Sequence, residues 1–429
     1  MRKWVFLLIL SLMLTNLAQA ETVKVWLVWI QEIVNVFQSV TEKDFTAKTG
    51  IKVEFTTMPG DSYEQKYLLA AASGSVPDIG IMGSLGPADL GVRGAMLELR
   101  EAFGKEADIV AQNCFPGLLR SLEFRSALFG YPIQFNIYPM YYRQDIINEM
   151  GLKVPDTWDE LKQILPKLQS KGRNFAFAFG LAGAPYADLS MFLWQNGADW
   201  YTLDRKKSGL DTPEALRGLK EFVSFFKKQN VPKDAQRNMG FKSGELPLMT
   251  GSSFDYPTFL TTMPELKGKW SVALAPGTKM ADGTVNHAAY IGGNTLGIFK
   301  DSKNKKATWE FVKWFLSPEV QKQIASEISQ KLPQFIFFSA VEDALKNTPM
   351  DSSAREVFLR QAKVSVAPPY ALSPETVTHR YLDFLVYQTV AEGIDSEKAL
   401  KQAASEMNNE LGRKEKEFAR FLQQFEVKK

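Results

Sequence analysis

The chain is poor in the residue types that reactive and metal centres draw on. It has a single cysteine, Cys114, so an intramolecular disulfide and a cysteine-rich zinc site are both excluded. Its two histidines, His287 and His379, are too few for a multi-histidine metal site. A net charge of one sign is lacking: 51 Lys and Arg stand against 48 Asp and Glu, a formal +3 with no electrostatic footprint for nucleic acid. No GxxxxGK[ST] loop, GxGxxG after a strand, HExxH or GxSxG occurs. A Cys–His nucleophile would need Cys114 beside one of the two histidines, whereas a lone core cysteine is ordinarily inert packing. The converging carboxylates of a glycosidase stay open, because any two Asp or Glu can meet in space. Long hydrophobic runs are missing too. The longest, Trp4 to Leu14, falls short of the roughly 18 residues that a membrane span needs.

That run has another reading. Arg2 and Lys3 precede it, and Ala18-Gln19-Ala20 follows as a small-x-small cleavage site, so residues 1–20 read as a secretory leader rather than an anchor. No cysteine stands beyond the run to be lipidated. The expected protein is exported to the periplasm, soluble, unlipidated and monomeric, with a mature chain starting at Glu21. With 429 residues and 45% hydrophobic side chains it can bury a full core over two or three domains.

Strands and helices alternate along it. VKVWLVWI at 23–30 reads as a buried strand. A helix at 32–48 stops at Gly50, a strand follows at 51–55, and a helix capped by Asp61 or Ser62 runs to Ser73. Another short strand spans 79–82. Thr157 and Glu160 form a capping box for a helix to Gln169, and Thr212-Pro213 opens one to Lys228. Short strands are expected at 175–179, 246–249, 270–274 and 296–299. Helices are expected near 304–316, 318–328, 352–363, 374–392 and 395–426. The alternation predicts an α/β protein with mostly parallel sheets. The last helix carries Leu400, Ala404, Met407, Leu411, Phe418, Leu422 and Phe425 on one stripe, read as a face packed on its own domain rather than a partner-binding face.

Five segments together resemble the extracellular solute-binding proteins of ABC importers, in the sugar-binding, maltose-binding-protein-like group. They are KDFTAKTGIKVEF (43–55), PGDSYEQKYLLAAASGSVPDIGIMG (59–83), residues 128–168 from LFGYPIQFNIYPMYYRQ onward, FKSGELPLMTG (241–251), and AAYIGGNTLGIFKDSKNKKATWEFVKWFLSPEVQKQIA (288–325). The resemblance implies a two-lobed, periplasmic-binding-protein type II fold whose chain crosses between lobes three times. By position the crossings are Gln134–Ile137, Ile291–Thr295 and Pro333–Phe337. The N-terminal lobe would then be 21–134 plus 294–334, and the C-terminal lobe 136–291 plus 338–429. Gly292-Gly293 fits a crossing, although a plain turn fits the two glycines equally well.

The same resemblance implies a carbohydrate ligand and permease subunits in the inner membrane as partners. It implies no cofactor, no metal and no catalysis. A sugar needs rings for its C–H faces and carboxylates or amides for its hydroxyls. The candidates are Trp29, Gln31 and Glu32 after the first strand, with Glu32 equally readable as a solvated first-turn residue. Met82 and Ser84 follow the third strand. Met82 stands where the maltose-binding group has an aromatic, and no charge adjoins it, which argues against a maltodextrin site of that design. Asn136 and Gly293 stand at crossings. Tyr186 matches a stacking position; the loop GSSFDY (251–256) matches one that carries a stacking aromatic, Phe254 or Tyr256; His379 or Tyr381 matches another; and Asp255 would bond hydroxyls. A helical tyrosine, or Tyr186 after Pro185, can equally be core. The rival readings are the same fold with a glycerol phosphodiester or polyamine ligand, or an exported glycosidase. Arg93, Arg120, Arg125 and Arg143 are the candidates for an anion, and none falls in a segment placed in the cleft.

Overall fold

The structure is a computed structural model that describes residues 21–60, 63–181 and 183–425. The expected leader at 1–20 and the proposed caps Asp61 and Ser62 lie outside the described residues, as do residues 426–429.

Strand β1 (Thr22–Leu27) buries Val23, Val25 and Leu27 and pairs in parallel with β2 (Lys52–Thr57) and β3 (Ile79–Gly83). The crossover between β1 and β2 begins as the helix Gln31–Val40. It ends at Gly50, whose φ of 74° is the left-handed conformation that glycine adopts freely. A small ribbon, β4 (Glu123–Phe124) with β5 (Ala127–Leu128), precedes β6 (Tyr131–Ile137).

A second sheet contains β7 (Met140–Tyr142), β8 (Phe175–Ala176), β9 (Leu248–Thr250) and β10 (Ser271–Ala273), in the order β10-β7-β9-β8. Beyond the ribbon β11 (Thr278–Lys279) with β12 (Val285–Asn286), β13 (Ile291–Ile298) returns the chain to the first sheet, completing the order β2-β1-β3-β13-β6.

The sheets are mixed rather than mostly parallel: β13 runs antiparallel to both β3 and β6, and only β8–β9 is parallel in the second sheet. Parallel neighbours need a crossover helix between them. β6 leaves for the other lobe and β13 comes back from it, so neither is bound to that direction. The 175–179 strand is shorter than expected. Past Ala176 the backbone amides are taken by side chains, Ala178 donating to Thr250 Oγ1 and Phe179 to Asp188 Oδ2.

Each sheet with its helices forms a lobe. Residues 332–341 run beside β6, where the Phe135 and Ala340 amides donate to the carbonyls of Phe338 and Ile133. Local chemistry sets several helix starts. Thr157 and Glu160 form both halves of the capping box, and the Thr212 side chain accepts from the Ala215 amide.

In the second lobe Trp158 is buried against Phe175, Phe177, Phe192 and Phe225, lying near-parallel to Phe192 at 4.5 Å. Such ring pairs add about 1 kcal/mol each beyond the area they bury. The helix Pro185–Gln195 runs through this core. It is buried on nearly all sides, which is why no apolar period marks it in the sequence.

The last helix, Ser396–Leu422, is capped by Asp395 and buries the expected stripe, but not on one lobe alone. Its first half packs on the helices Pro213–Lys227 and Glu375–Val390. Its far end reaches the first lobe. Phe418 lies under the Arg93 guanidinium, and Phe425 meets Phe124 and Phe129 edge-on while its carbonyl accepts from Arg125.

Candidate functional site

Between the lobes lies a cleft of about 420 Å³. The first lobe supplies Trp29, just past β1, then Gly83 and Ser84 at the end of β3, Gln134 and Asn136 on β6, and Gly292 to Asn294 on β13. The second lobe supplies Tyr138, Tyr186, Phe254, Tyr290 and Glu375, and Phe335 enters from the 332–341 segment. The first-lobe side thus follows the carboxyl ends of β1, β3 and β6, where open α/β sheets place their ligands, together with the amino end of the antiparallel β13.

The rings are held by packing. Trp29 stands edge-on to Phe37 at 5.1 Å and tilts against Phe337 at 5.8 Å. Phe254 and Phe335 lie 24° from parallel with centroids 6.1 Å apart. Tyr290 meets Tyr138 at 6.0 Å and Tyr186 at 5.7 Å.

The amides are held by hydrogen bonds. Asn136 Oδ1 accepts from Ser252 Oγ, the Ser253 amide and Ser253 Oγ at 2.8–3.2 Å, and its Nδ2 donates to Tyr138 Oη. It therefore pins the 251–254 loop of the second lobe to β6. Gln134 Oε1 accepts from Asn294 Nδ2 at 3.0 Å, tying β6 to β13. Ser84 Oγ bonds both the amide and the carbonyl of Gly293. A Cβ at Gly293 would collide with the Gln134 carbonyl and come within 2.8 Å of Phe135 Cα, so the close approach of β13 to β6 requires glycine.

Of the thirteen site residues expected from sequence, the cleft brings together Trp29, Ser84, Asn136, Tyr186, Phe254 and Gly293. The others sit elsewhere. Gln31 and Glu32 are exposed on the first turn of the Gln31–Val40 helix, and Gln31 bonds Asn35 and Thr57. Met82 is buried and lines a smaller cavity of about 110 Å³ behind the cleft, with Tyr63, Glu64 and Arg93.

Asp255 and Tyr256 open the helix Asp255–Thr262, in a segment read as a loop from sequence. Consecutive helical residues point about 100° apart, so only Phe254, just before the helix, faces the cleft. Asp255 pairs with Arg237 at 3.2 Å, and Tyr256 packs into the core on Trp270 and Phe358. Burial raises the Asp255 carboxyl above its usual range although Arg237 opposes the rise.

His379 lies against Tyr186, and burial lowers it to about 3, leaving the imidazole neutral. Tyr381 is half-buried beneath the Arg380 guanidinium, outside the cleft.

Sequence reasoning missed Tyr290, Phe335 and Glu375. Tyr290 precedes the Gly292-Gly293 pair, and that position was the available signal. Glu375 opens the helix Glu375–Val390, where an acidic residue is ordinary dipole chemistry and marks nothing. Its side chain is 23% exposed. Oε2 accepts from the Leu85 amide of the other lobe, and Tyr290 Oη donates to Oε1, both at 3.4 Å. Burial pushes this carboxyl up to about 7, and the like charge of Glu64 adds to the rise. Cys114 is buried, its thiol raised to about 12, so it is no nucleophile at neutral pH. Among the described residues no group of three His, Cys, Asp or Glu gathers that could hold a metal ion.

The family profile described as bacterial extracellular solute-binding protein matches residues 30–322. A binding protein of Brucella abortus is 26% identical over 285 residues, 63% of this chain, and the chain spans only 66% of that protein's length. The maltotriose-binding protein of Pyrococcus abyssi is 25% identical over 299 residues, 68% of this chain and 62% of that protein. The sugar-binding protein MalE of Xanthomonas citri superposes with a TM-score of 0.80 at 19% identity, over 93% of this chain and 99% of that one, a likeness of fold. The profile covers most of the chain, the fold is two-lobed, and the cleft lies where the lobes meet: the chain belongs to the bacterial extracellular solute-binding protein family.

Proposed function

We propose that the protein captures a mono- or oligosaccharide between its lobes and delivers it to the permease of an ABC importer in the inner membrane. The observation that carries this reading is the cleft itself, where rings from both lobes line one space with the amide side chains of Gln134, Asn136 and Asn294. Rings bind the C–H faces of a sugar, and amides donate to and accept from its hydroxyls. A ligand that touches both lobes at once favours the closed arrangement, because only there does it make all its contacts. On this reading the lobes are 21–134 plus 294–334 and 136–291 plus 338–429. Residues 1–20 are a cleaved leader, and the mature protein works as an unlipidated monomer in the periplasm without chemical turnover.

Titration calorimetry over a panel of mono- and oligosaccharides tests the reading. We expect saturable heat with at least one sugar, at a Kd near micromolar, about 8 kcal/mol. Silence across the panel, with binding of a glycerol phosphodiester instead, would overturn it. Hydrolysis of nitrophenyl glycosides or esters would overturn the non-catalytic part.

A further inference from the structure

We infer that the sugar this cleft selects is an amino sugar bearing a free, protonated amine, and that Glu375 is the residue that reads the charge; the inference rests on the carbohydrate reading above. Two observations carry it.

The first is the composition of the cleft. Six rings line it: Trp29, Tyr138, Tyr186, Phe254, Tyr290 and Phe335. Among the described residues no lysine or arginine does, and Glu375 is the one formal charge. Ring faces attract cations, and a carboxylate beside them adds to the attraction. An anionic solute such as a phosphodiester would face repulsion there with no basic group to offset it.

The second observation is that nothing in the protein neutralises Glu375. The groups facing it come from five directions. Tyr63 and Glu64 face it from the Tyr63–Ser73 helix, and Leu85 from the loop after β3. Tyr290 faces it from the approach to β13, Tyr186 from the Pro185–Gln195 helix, and His379 from its own helix. Glu64 carries the same sign. His379 is neutral, and its buried Nε2, 3.5 Å from Glu375 Oε1, makes no hydrogen bond. Arg93 shares the small cavity behind the cleft but is committed to Asp89 through two bonds of 3.0 and 3.3 Å. A largely buried carboxylate without a counter-ion is costly. An ammonium group on the ligand removes that cost, whereas a neutral sugar leaves it standing. The raised carboxyl is what an unneutralised site produces.

Three disaccharides of one linkage separate the possibilities: the β-1,4 glucosamine dimer, its N-acetylated form and cellobiose. Each is titrated into the full-length mature protein at about pH 7, where the amine is largely charged. The expected result is binding of the free amine at least tenfold tighter than either neutral sugar. That ratio should shrink as pH falls towards about 5 and Glu375 takes up its proton. Glu375→Gln should bring the ratio near one. The pH series on wild type is a readout that needs no variant.

Equal or tighter binding of cellobiose or the acetylated dimer overturns this inference and leaves the carbohydrate reading intact. So does a preference for the amine that survives both Glu375→Gln and acidification. Binding of spermidine with no sugar bound overturns the carbohydrate reading itself, and this inference falls with it.

Discussion

The imidazole of His379 lies flat on the ring of Tyr186, with centroids 3.6 Å apart and planes 11° from parallel. Each was expected from sequence as a separate platform for a sugar. Stacked together, they occupy one face of each other, and Trp200 closes on His379 edge-on at 5.6 Å. His379 therefore acts on the cleft through Tyr186, as its support. His379→Ala should cost about 1–2 kcal/mol, a ring pair plus some buried area. It should also weaken ligand binding by loosening Tyr186. Urea unfolding and calorimetry measure the two effects. Unchanged affinity would show that Tyr186 holds its place unaided.

Stability should fall as pH rises through the range of about 5 to 8. Burial raises the carboxyls of Asp188 and Glu375 to about 7 and that of Asp383 to about 6. A group raised on folding stabilises fully below its unfolded value and loses that contribution as pH climbs through its folded value. His379 has the opposite sign. Lowered to about 3, it stabilises above its ordinary value and loses that as pH drops. Three carboxyls against one histidine set the direction. Thermal unfolding followed across this range tests it, and Asp188→Asn should flatten the slope. A profile that rises with pH would contradict the assignment.

Two glycines should respond oppositely to alanine. Gly293→Ala drives a Cβ into the Gln134 carbonyl where β13 pairs with β6. It should destabilise by about 2–4 kcal/mol, a backbone clash with no flexible neighbour to yield, and reduce binding as well. Gly412 sits within the Ser396–Leu422 helix with nothing within 4 Å of a built Cβ. There alanine should stabilise by about 1 kcal/mol through helix propensity. Denaturant midpoints decide both.

Gln195 is a buried polar junction. Its Oε1 accepts from Trp158 Nε1 at 2.7 Å and Thr278 Oγ1 at 3.0 Å, and its Nε2 donates to the carbonyls of Pro276 and Ala288. Gln195→Ala leaves the Trp158 indole N–H without its acceptor in the core, at a cost of about 3 kcal/mol. The drop should appear in urea unfolding while ligand affinity stays within a few-fold, since Gln195 does not line the cleft.

Phe254→Ala should lower sugar affinity about tenfold with only a modest change in unfolding midpoint, because the ring is part-exposed, stacked on the cleft residue Phe335 and meeting the core only edge-on at Phe338. Unchanged affinity would place the ligand elsewhere in the cleft.

The two candidate positions Phe254 and Tyr256 show how far the sequence could be read. GSSFDY announced an aromatic near the cleft, and one aromatic is there. Which of the two depends on where the Asp255–Thr262 helix begins, and that depends on the Ser252 and Ser253 bonds to Asn136 of β6. Glu375 escaped for a similar reason. Its counterparts Leu85 and Tyr290 lie 290 and 85 residues away in the chain, Leu85 in the other lobe, and only the tertiary fold brings them together.

What the sequence determined by itself is the chemistry that acts over a few residues. That includes the Thr157–Glu160 capping box, the Thr212 cap, the stop at Gly50, the apolar stripe of the last helix and the order of strands and helices. Tertiary structure alone decided which partners those elements meet: the antiparallel return of β13, the reach of Phe418 and Phe425 to the first lobe, the stacking of His379 on Tyr186, and the carboxylate left without a counter-ion in the cleft. The physical reason is range. Caps and periodicity are settled within one or two helical turns, whereas the facing of a side chain across a cleft is set by two lobes whose contacting residues lie up to 300 positions apart.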